Sequence, residues 1–333
     1  MDMTYSFNEE TQTLTVFSRT GVSDFCRDRN VAGRQFNYKT IIDPAVQSCC
    51  GMFWCCESFN QSITIPDSVI DCTEMFKWCN SFNSPVVIGN SVTTCVSMFG
   101  ACESFNQPII IPNSVTRCDS MFKECRSFNQ PIIIPNSVKS CLDMFHGCTA
   151  YNQPVIIPDS LHGCEFMFSG CTSFNQPVVI PNSVIDCHAM FACCGKFNQA
   201  VIIPNSVNSC KDMFYNCGAL NQSVTIGSGV TDCDCMFANC VNFNQPIIIP
   251  SSVTNCNAMF KNCASLNQSV TLPESVKSCG SMFAKCYSLS STIVIPDKVR
   301  YSYDMFDGCP LMNEDGTVKQ PQQSKEDKTS YFN

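Results

Sequence analysis

Val115-Thr-Arg-Cys-Asp-Ser-Met-Phe-Lys-Glu-Cys-Arg-Ser-Phe-Asn-Gln-Pro-Ile-Ile-Ile-Pro-Asn-Ser137 is the stretch that decides how this chain folds. Its Met-Phe pair stands at 121–122. The same pair recurs every 23 residues, first at 52, then at 75, 98, 121, 144, 167, 190, 213, 236, 259 and 282, and last at 305. A fixed period of this length marks stacked supersecondary units, and it outranks any local reading. Within the unit, Cys118, Met121, Phe122 and Cys125 fall at i, i+3, i+4 and i+7. That spacing predicts a short helix with Asp119, Ser120, Lys123 and Glu124 turned outward. Ile132, Ile133 and Ile134 are β-branched and bounded by Pro131 and Pro135, which predicts a short strand. Pro-Asn-Ser supplies a turn, with the serine placed to cap the next helical arm.

Comparison between units fixes the strand faces. The outer positions are always Ile, Val or Leu, from Ile63 and Ile65 to Ile293 and Ile295. The middle position changes in kind, running Thr64, Val87, Ile110, Ile133, Ile156, Val179, Ile202, Thr225, Ile248, Thr271 and Val294. Side chains alternate faces along a strand, so the outer pair is core and the middle residue points out. The expected fold is a solenoid: a leucine-rich-repeat-like stack of 23-residue strand–turn–short-helix units with a parallel β-sheet on one face.

The phrases Phe-Asn-Gln-Pro-Ile and Ile-Pro-Asn-Ser-Val, from Phe105 onward, resemble FNIP repeats. Met-Phe, then Cys, then Ser-Phe or Ser-Leu, then an Ile-Pro strand resembles BspA-like (Treponema-type) leucine-rich repeats. The resemblance covers roughly residues 26 to 309 and recurs throughout. It implies surface adhesins and interaction proteins, with no catalytic residues to carry over. The chain departs from the bacterial pattern in placing cysteine where an aliphatic residue or alanine is more usual.

The ends are atypical, as the caps of a repeat core are. Tyr5 to Phe17, turning at Asn8-Glu9-Glu10, reads as a hairpin, and the following unit keeps Cys26 and Phe36-Asn37 but has Arg29-Asn30 in place of Met-Phe. The divisions expected are 1–48 for the hairpin cap and degenerate repeat, 49–309 for the repeat solenoid, and 310–333 for a C-terminal cap remnant and polar tail.

Of the 28 cysteines, all but Cys26, Cys50, Cys55, Cys193 and Cys235 belong to two columns, three residues before and four after each Met. Buried packing thiols are the expectation, since free cysteine behaves as a small hydrophobe. The column spacing is not that of a zinc site, and His146, His162 and His188 occupy unrelated positions. The asparagine column, from Asn60 to Asn267, reads as a hydrogen-bonding ladder between coils. This is preferred over glycosylation at the Asn60, Asn221 and Asn267 sequons.

Function must then come from surfaces. No phosphate-binding glycine loop or nucleophile elbow is present, so an enzyme and a cofactor are not expected. A net charge of −8, with 20 scattered Lys and Arg, argues against a nucleic-acid partner. No apolar run nears the ~18 residues of a membrane span. Met1 to Cys26 carries Asp2, Glu9 and Glu10 and no signal-peptide core, which favours the cytoplasm or a particle over classical secretion. The middle strand column, Val87, Ile110, Ile133, Ile156, Val179, Ile202 and Ile248, forms an outward apolar stripe of the kind that marks interaction sites. The expected role is a non-enzymatic protein-binding or adhesion scaffold, whose partner is a protein or cell-surface ligand. It would use this stripe or the variable helical side. The alternatives are a structural assembly subunit, for example of a virion, self-associating through the sheet face, or an intracellular adaptor.

Overall fold

A strand needs a partner for its backbone, and the first hairpin finds two. The computed structural model describes residues 3–310, so the expected tail lies outside the described residues apart from Pro310. β1 (Tyr5–Asn8) pairs antiparallel with β2 (Thr13–Val16), as the sequence predicts. α1 (Gly21–Asp28) follows, burying Val22, Phe25 and Cys26. β3 (Lys39–Ile42) then pairs parallel with β2 and begins the winding of the coils.

The chain divides into two units, 1–161 with 170–172, and 162–169 with 173–333. In the first unit the quoted coil shows the local rule. Met121, Lys123 and Cys125 donate their backbone N–H to Cys118, Ser120 and Phe122 at 3.1, 3.0 and 2.9 Å, closing tight turns inside the coil. Cys118, Ser120, Phe122 and Glu124 donate instead to the next coil, to Ser140, Leu142, Met144 and His146 at 2.9, 2.7, 3.0 and 2.7 Å. An α-helix would send every donor four residues back along its own chain. Here alternate donors leave the coil, and Ser120 and Glu124 sit in the left-handed region (φ 55° and 61°). The same two positions have positive φ in every coil, from Gly51 and Cys55 to Asp304 and Gly308.

The expected short helix is therefore a ribbon of turns. The burial pattern matches the sequence spacing: Cys118, Met121, Phe122 and Cys125 are buried, while their neighbours are partly exposed. Periodicity reports which side chains face inward, and it says nothing of where the backbone donors go. An isolated helix of two turns is marginal, whereas a neighbouring coil offers a carbonyl at every second residue. The real α-helix, α1, stands in the degenerate unit that lacks Met-Phe.

The strand prediction holds in part. β4 (Ile63–Thr64) pairs parallel with β5 (Val86–Val87) in the first unit. In the second unit β6 (Val201–Ile202) pairs with β7 (Val224–Thr225), and β8 (Val270–Thr271) with β9 (Ile293–Val294). The donating coils of these pairs open with Ser62, Ala200 and Ser269. Segments opened and closed by proline, such as 109–111, 132–134, 155–157, 178–180 and 247–249, keep the in–out–in burial but carry no ladder. In the paired coils the ladder donors are Ile63 and Ile65, Val201 and Ile203, and Val270 and Leu272, not the opening residue. An opening proline therefore acts through its fixed φ rather than through a lost ladder donor. The more continuous parallel pairing lies one residue before the first cysteine column. Single bridges run Ser48–Asp71–Thr94–Arg117–Ser140 in one unit and Gly163–Asp186–Ser209–Asp232–Asn255–Ser278–Tyr301 in the other.

Side-chain columns complete the stack. In the first unit Phe53, Phe76, Phe99, Phe122 and Phe145 stack with centroids 5.3–5.8 Å apart and nearly parallel planes. Phe59, Phe82, Phe105, Phe128 and Tyr151 form a second column at 5.7–5.9 Å. In the second unit one column is unbroken from Phe168 to Phe306, while Leu220, Leu266 and Leu289 interrupt the other. The asparagine ladder is present: Asn106 Oδ1 accepts the N–H of Asn129 at 2.9 Å and the Gln130 amide at 3.1 Å. Sequon residues share this role, Asn60 accepting from Asn83, Asn221 from Asn244 and Asn267 from Ser290. The serine after Pro-Asn caps no helix. Ser137 Oγ donates to Val115 O in the preceding coil at 2.7 Å.

Candidate docking surface

The middle strand residue is aimed by its neighbours. In the first unit Ile132 and Ile134 are sunk in the core at 4% and 5% exposure, so the residue between them must face out. Ile133 is 85% exposed, Ile110 86%, Ile156 85% and Val87 59%. In the second unit Val179, Ile202, Ile248 and Val294 are likewise exposed, with Thr225 and Thr271 between some of them. Each residue of the expected stripe is thus on the surface.

Around Ile133 and Ile156 in the first unit the lining residues are uncharged. Beside Ile133 and Ile156 lies a groove of about 500 Å³ bordered by Pro131, Pro135, Pro154 and Pro158. Asn113 and Asn136 also line it. Proline rings fix the local backbone, so this apolar surface is already ordered before anything covers it. Covering one such isoleucine yields on the order of 2 kcal/mol.

Charge is concentrated on the turn arm instead. Lys123 pairs with Asp143 at 3.3 Å, Arg117 with Asp119 at 2.8 Å, and in the second unit Lys211 with Asp234 at 3.2 Å. The variable side expected to be helical is this arm. His188 lies 3.6 Å from Asp212 on the same arm, and burial holds the Asp212 carboxyl above its ordinary range.

The column cysteines are buried, and one column has a polar task. Cys79, Cys102, Cys125 and Cys148 donate S–H to the carbonyls of Phe53, Phe76, Phe99 and Phe122 at 2.9–3.0 Å. A thiol is small and apolar enough for the core while still offering a donor, which an aliphatic residue cannot. Burial pushes Cys49, Cys95, Cys164 and Cys240 up to about 12, so these thiols stay protonated at neutral pH. Cys50, Cys55, Cys193 and Cys235, outside the columns, are partly exposed. Burial, with Asp234 beside it, also pushes Cys235 up to about 12. Among the described residues no group of three His, Cys, Asp or Glu is placed to hold a metal ion. No helix among them is long and apolar enough to cross a membrane.

One surface feature escapes the 23-residue comparison. Trp54 and Trp78 are both exposed and lie side by side, yet they are 24 residues apart and so fall in different columns. Their scarcity, two in the whole chain, was the signal available.

Known proteins resemble this chain in sequence and in fold. The model of the family described as "Mycoplasma protein of unknown function, DUF285" matches residues 35–132, 89–178, 111–202, 136–226, 159–249, 202–295 and 227–320. A leucine-rich repeat protein of Bacteroides ovatus is 22% identical with a TM-score of 0.52, over 93% of this chain and 92% of that one. A leucine-rich repeat protein of Eubacterium ventriosum is 16% identical with a TM-score of 0.57, over 93% of each chain. No curated protein sequence matches. The fold is a leucine-rich-repeat solenoid of the BspA-like kind that the repeated motif resembles.

Proposed function

Since this chain belongs to the DUF285 family of repeat proteins, we propose that it is a non-enzymatic scaffold that docks a protein partner along the exposed aliphatic stripe. In the first unit the stripe comprises Val87, Ile110, Ile133 and Ile156, and in the second Val179, Ile202 and Ile248 are its counterparts. The observation that carries this reading is the 85% exposure of Ile133 and Ile156 on an uncharged, proline-stiffened surface. Aliphatic residues held in water at this density favour burial against another molecule. The turn arm, with its paired charges, is the second place a partner could be read. The resemblance to BspA-like proteins supports adhesion at a cell surface as the setting.

A second reading, assembly with copies of itself, draws support from the sameness of Ile110, Ile133 and Ile156. A surface repeating one residue type suits a like surface as well as it suits a foreign one. Solution mass across a concentration series separates the two, and the variant carrying Ile133→Asp and Ile156→Asp tests both. Partner capture by the parent and not by this variant supports docking on the stripe. A concentration-dependent dimer lost in the variant supports self-assembly. Unchanged capture and unchanged mass would remove the stripe from the account, because burying two unpaired carboxylates is strongly unfavourable.

A further inference from the structure

Trp54 and Trp78 stand on the turn arm of adjacent coils, a different segment of each coil from the aliphatic stripe. They are 50% and 44% exposed, with ring centroids 5.5 Å apart and planes tilted by 47°. Large exposed indoles are costly in water and are favoured where a ligand has both an apolar face and polar edges. The Lys77 ammonium lies 5.4 Å from the Trp78 centroid, a cation–π contact that helps to hold the ring. In the next coil the positions equivalent to Lys77 and Trp78 are Gly100 and Ala101, so nothing large fills the space beside the indole. The result is a groove of about 330 Å³ lined by Lys77, Trp78, Gly100, Ala101, Lys123 and Glu124, with the Ser97 and Ser120 residues beside them. That volume is at the small end of small-molecule sites.

The charges around this groove are already matched. Lys77 Nζ is bonded to Glu74, Lys123 pairs with Asp143 at 3.3 Å, and Glu124 pairs with Arg126 at 3.5 Å. A charged ligand would have to compete with those pairs. A neutral ligand rich in hydroxyls leaves them intact and adds hydrogen bonds to their unused donors and acceptors. We propose that the groove and the two indoles form a binding site for a neutral carbohydrate. One sugar ring lays its C–H face on Trp78 with its hydroxyls toward Ser97, Ser120 and Lys123, and the next ring extends over Trp54.

The test uses the full chain. Trp54 and Trp78 are its only tryptophans, so intrinsic tryptophan fluorescence reports on this site alone. The probes are neutral hexasaccharides of glucose, mannose, galactose and N-acetylglucosamine. A saturable change in emission is expected with at least one of them. Affinity should fall about tenfold or more in Trp78→Ala, the loss of one stacked aromatic surface. Gly100→Gln should block the site while leaving both indoles in place. An added Cβ there meets Ser97 O at 3.3 Å and Lys77 Cγ at 3.5 Å, which small shifts accommodate. If Trp78→Ala does not fold, Gly100→Gln alone decides. No saturable change with any neutral probe, binding unaffected by Gly100→Gln, or a response only to acidic saccharides such as heparin fragments would each overturn the proposal. Neither variant touches Ile133 or Ile156, so docking on the stripe succeeds or fails separately.

Discussion

At the scale of single residues, the account turns on two backbone positions per coil that take positive φ. Side chains at such positions lose on the order of 1 kcal/mol relative to glycine, because Cβ crowds the following carbonyl. Gly147 has φ 74° and Ala101 has φ 58° at the equivalent position two coils earlier. Gly147→Ala should therefore destabilise the protein by at least about 1 kcal/mol, since the added Cβ also meets the Glu124 carboxylate at 2.5 Å and must displace it. Ala101→Gly should stabilise it by about 1 kcal/mol. Denaturant midpoints of the two variants measure this. Shifts of opposite sign fit the ribbon of turns, whereas a helical arm would make Ala101→Gly destabilising. The ribbon was partly legible in the sequence. Gly51, Gly147, Gly170 and Gly308 all occupy these columns, as do Asn216, Asn239 and Asn262. Glycine and asparagine are the residues that tolerate the left-handed region, but the hydrophobic period drew the reading to a helix first.

At the scale of one coil against the next, side-chain ladders do what a wide sheet does elsewhere. Asn106→Ala removes the acceptor for the Asn129 N–H and the Gln130 amide and should cost about 1–3 kcal/mol. Chemical denaturation checks it, and a loss near zero would mean that water replaces the ladder. The thiol columns make the stack sensitive to alkali. A cysteine ionises near 9 when unfolded, while burial holds Cys95, Cys164 and Cys240 up to about 12 in the fold. Between those values the unfolded chain has released protons that the folded chain retains, so stability falls as pH rises. Below 9 the contribution is fully present. Each such thiol removes about 1.4 kcal/mol per pH unit in that window. A pH titration followed by circular dichroism should show cooperative unfolding starting a little above pH 9, accompanied by thiolate absorbance. Gradual ionisation without unfolding would show that the columns are open to water. The asparagine ladder was legible because a polar residue held in register beside a core aromatic needs a partner. The strand ladders were less so, since proline at 108, 131, 154 and 177 leaves the burial alternation intact while fixing the backbone angle where each segment opens.

At the scale of the whole molecule, stability is a sum over coils and their neighbours, so a core change is felt where a surface change is not. Phe128→Ala opens the second aromatic column and should cost about 3–5 kcal/mol. Ile133→Asp with Ile156→Asp alters exposed side chains and should cost less than about 1 kcal/mol, while abolishing docking or self-association. Repeat count, register and the in–out pattern of the stripe were all legible, because 23-residue spacing makes each coil a comparison for the others. What covers the stripe was not, since the partner contributes no residue to this chain. Amide hydrogen exchange at 109–111, 132–134 and 155–157, measured with and without the bound partner or second copy, tests the docking claim most directly. These segments carry no strand ladder and should exchange quickly in the free protein. Marked slowing there on binding, with the turn arm at 119–124 unchanged, is the expected result. Slowing confined to the turn arm, with the stripe segments exchanging as before, would contradict the account.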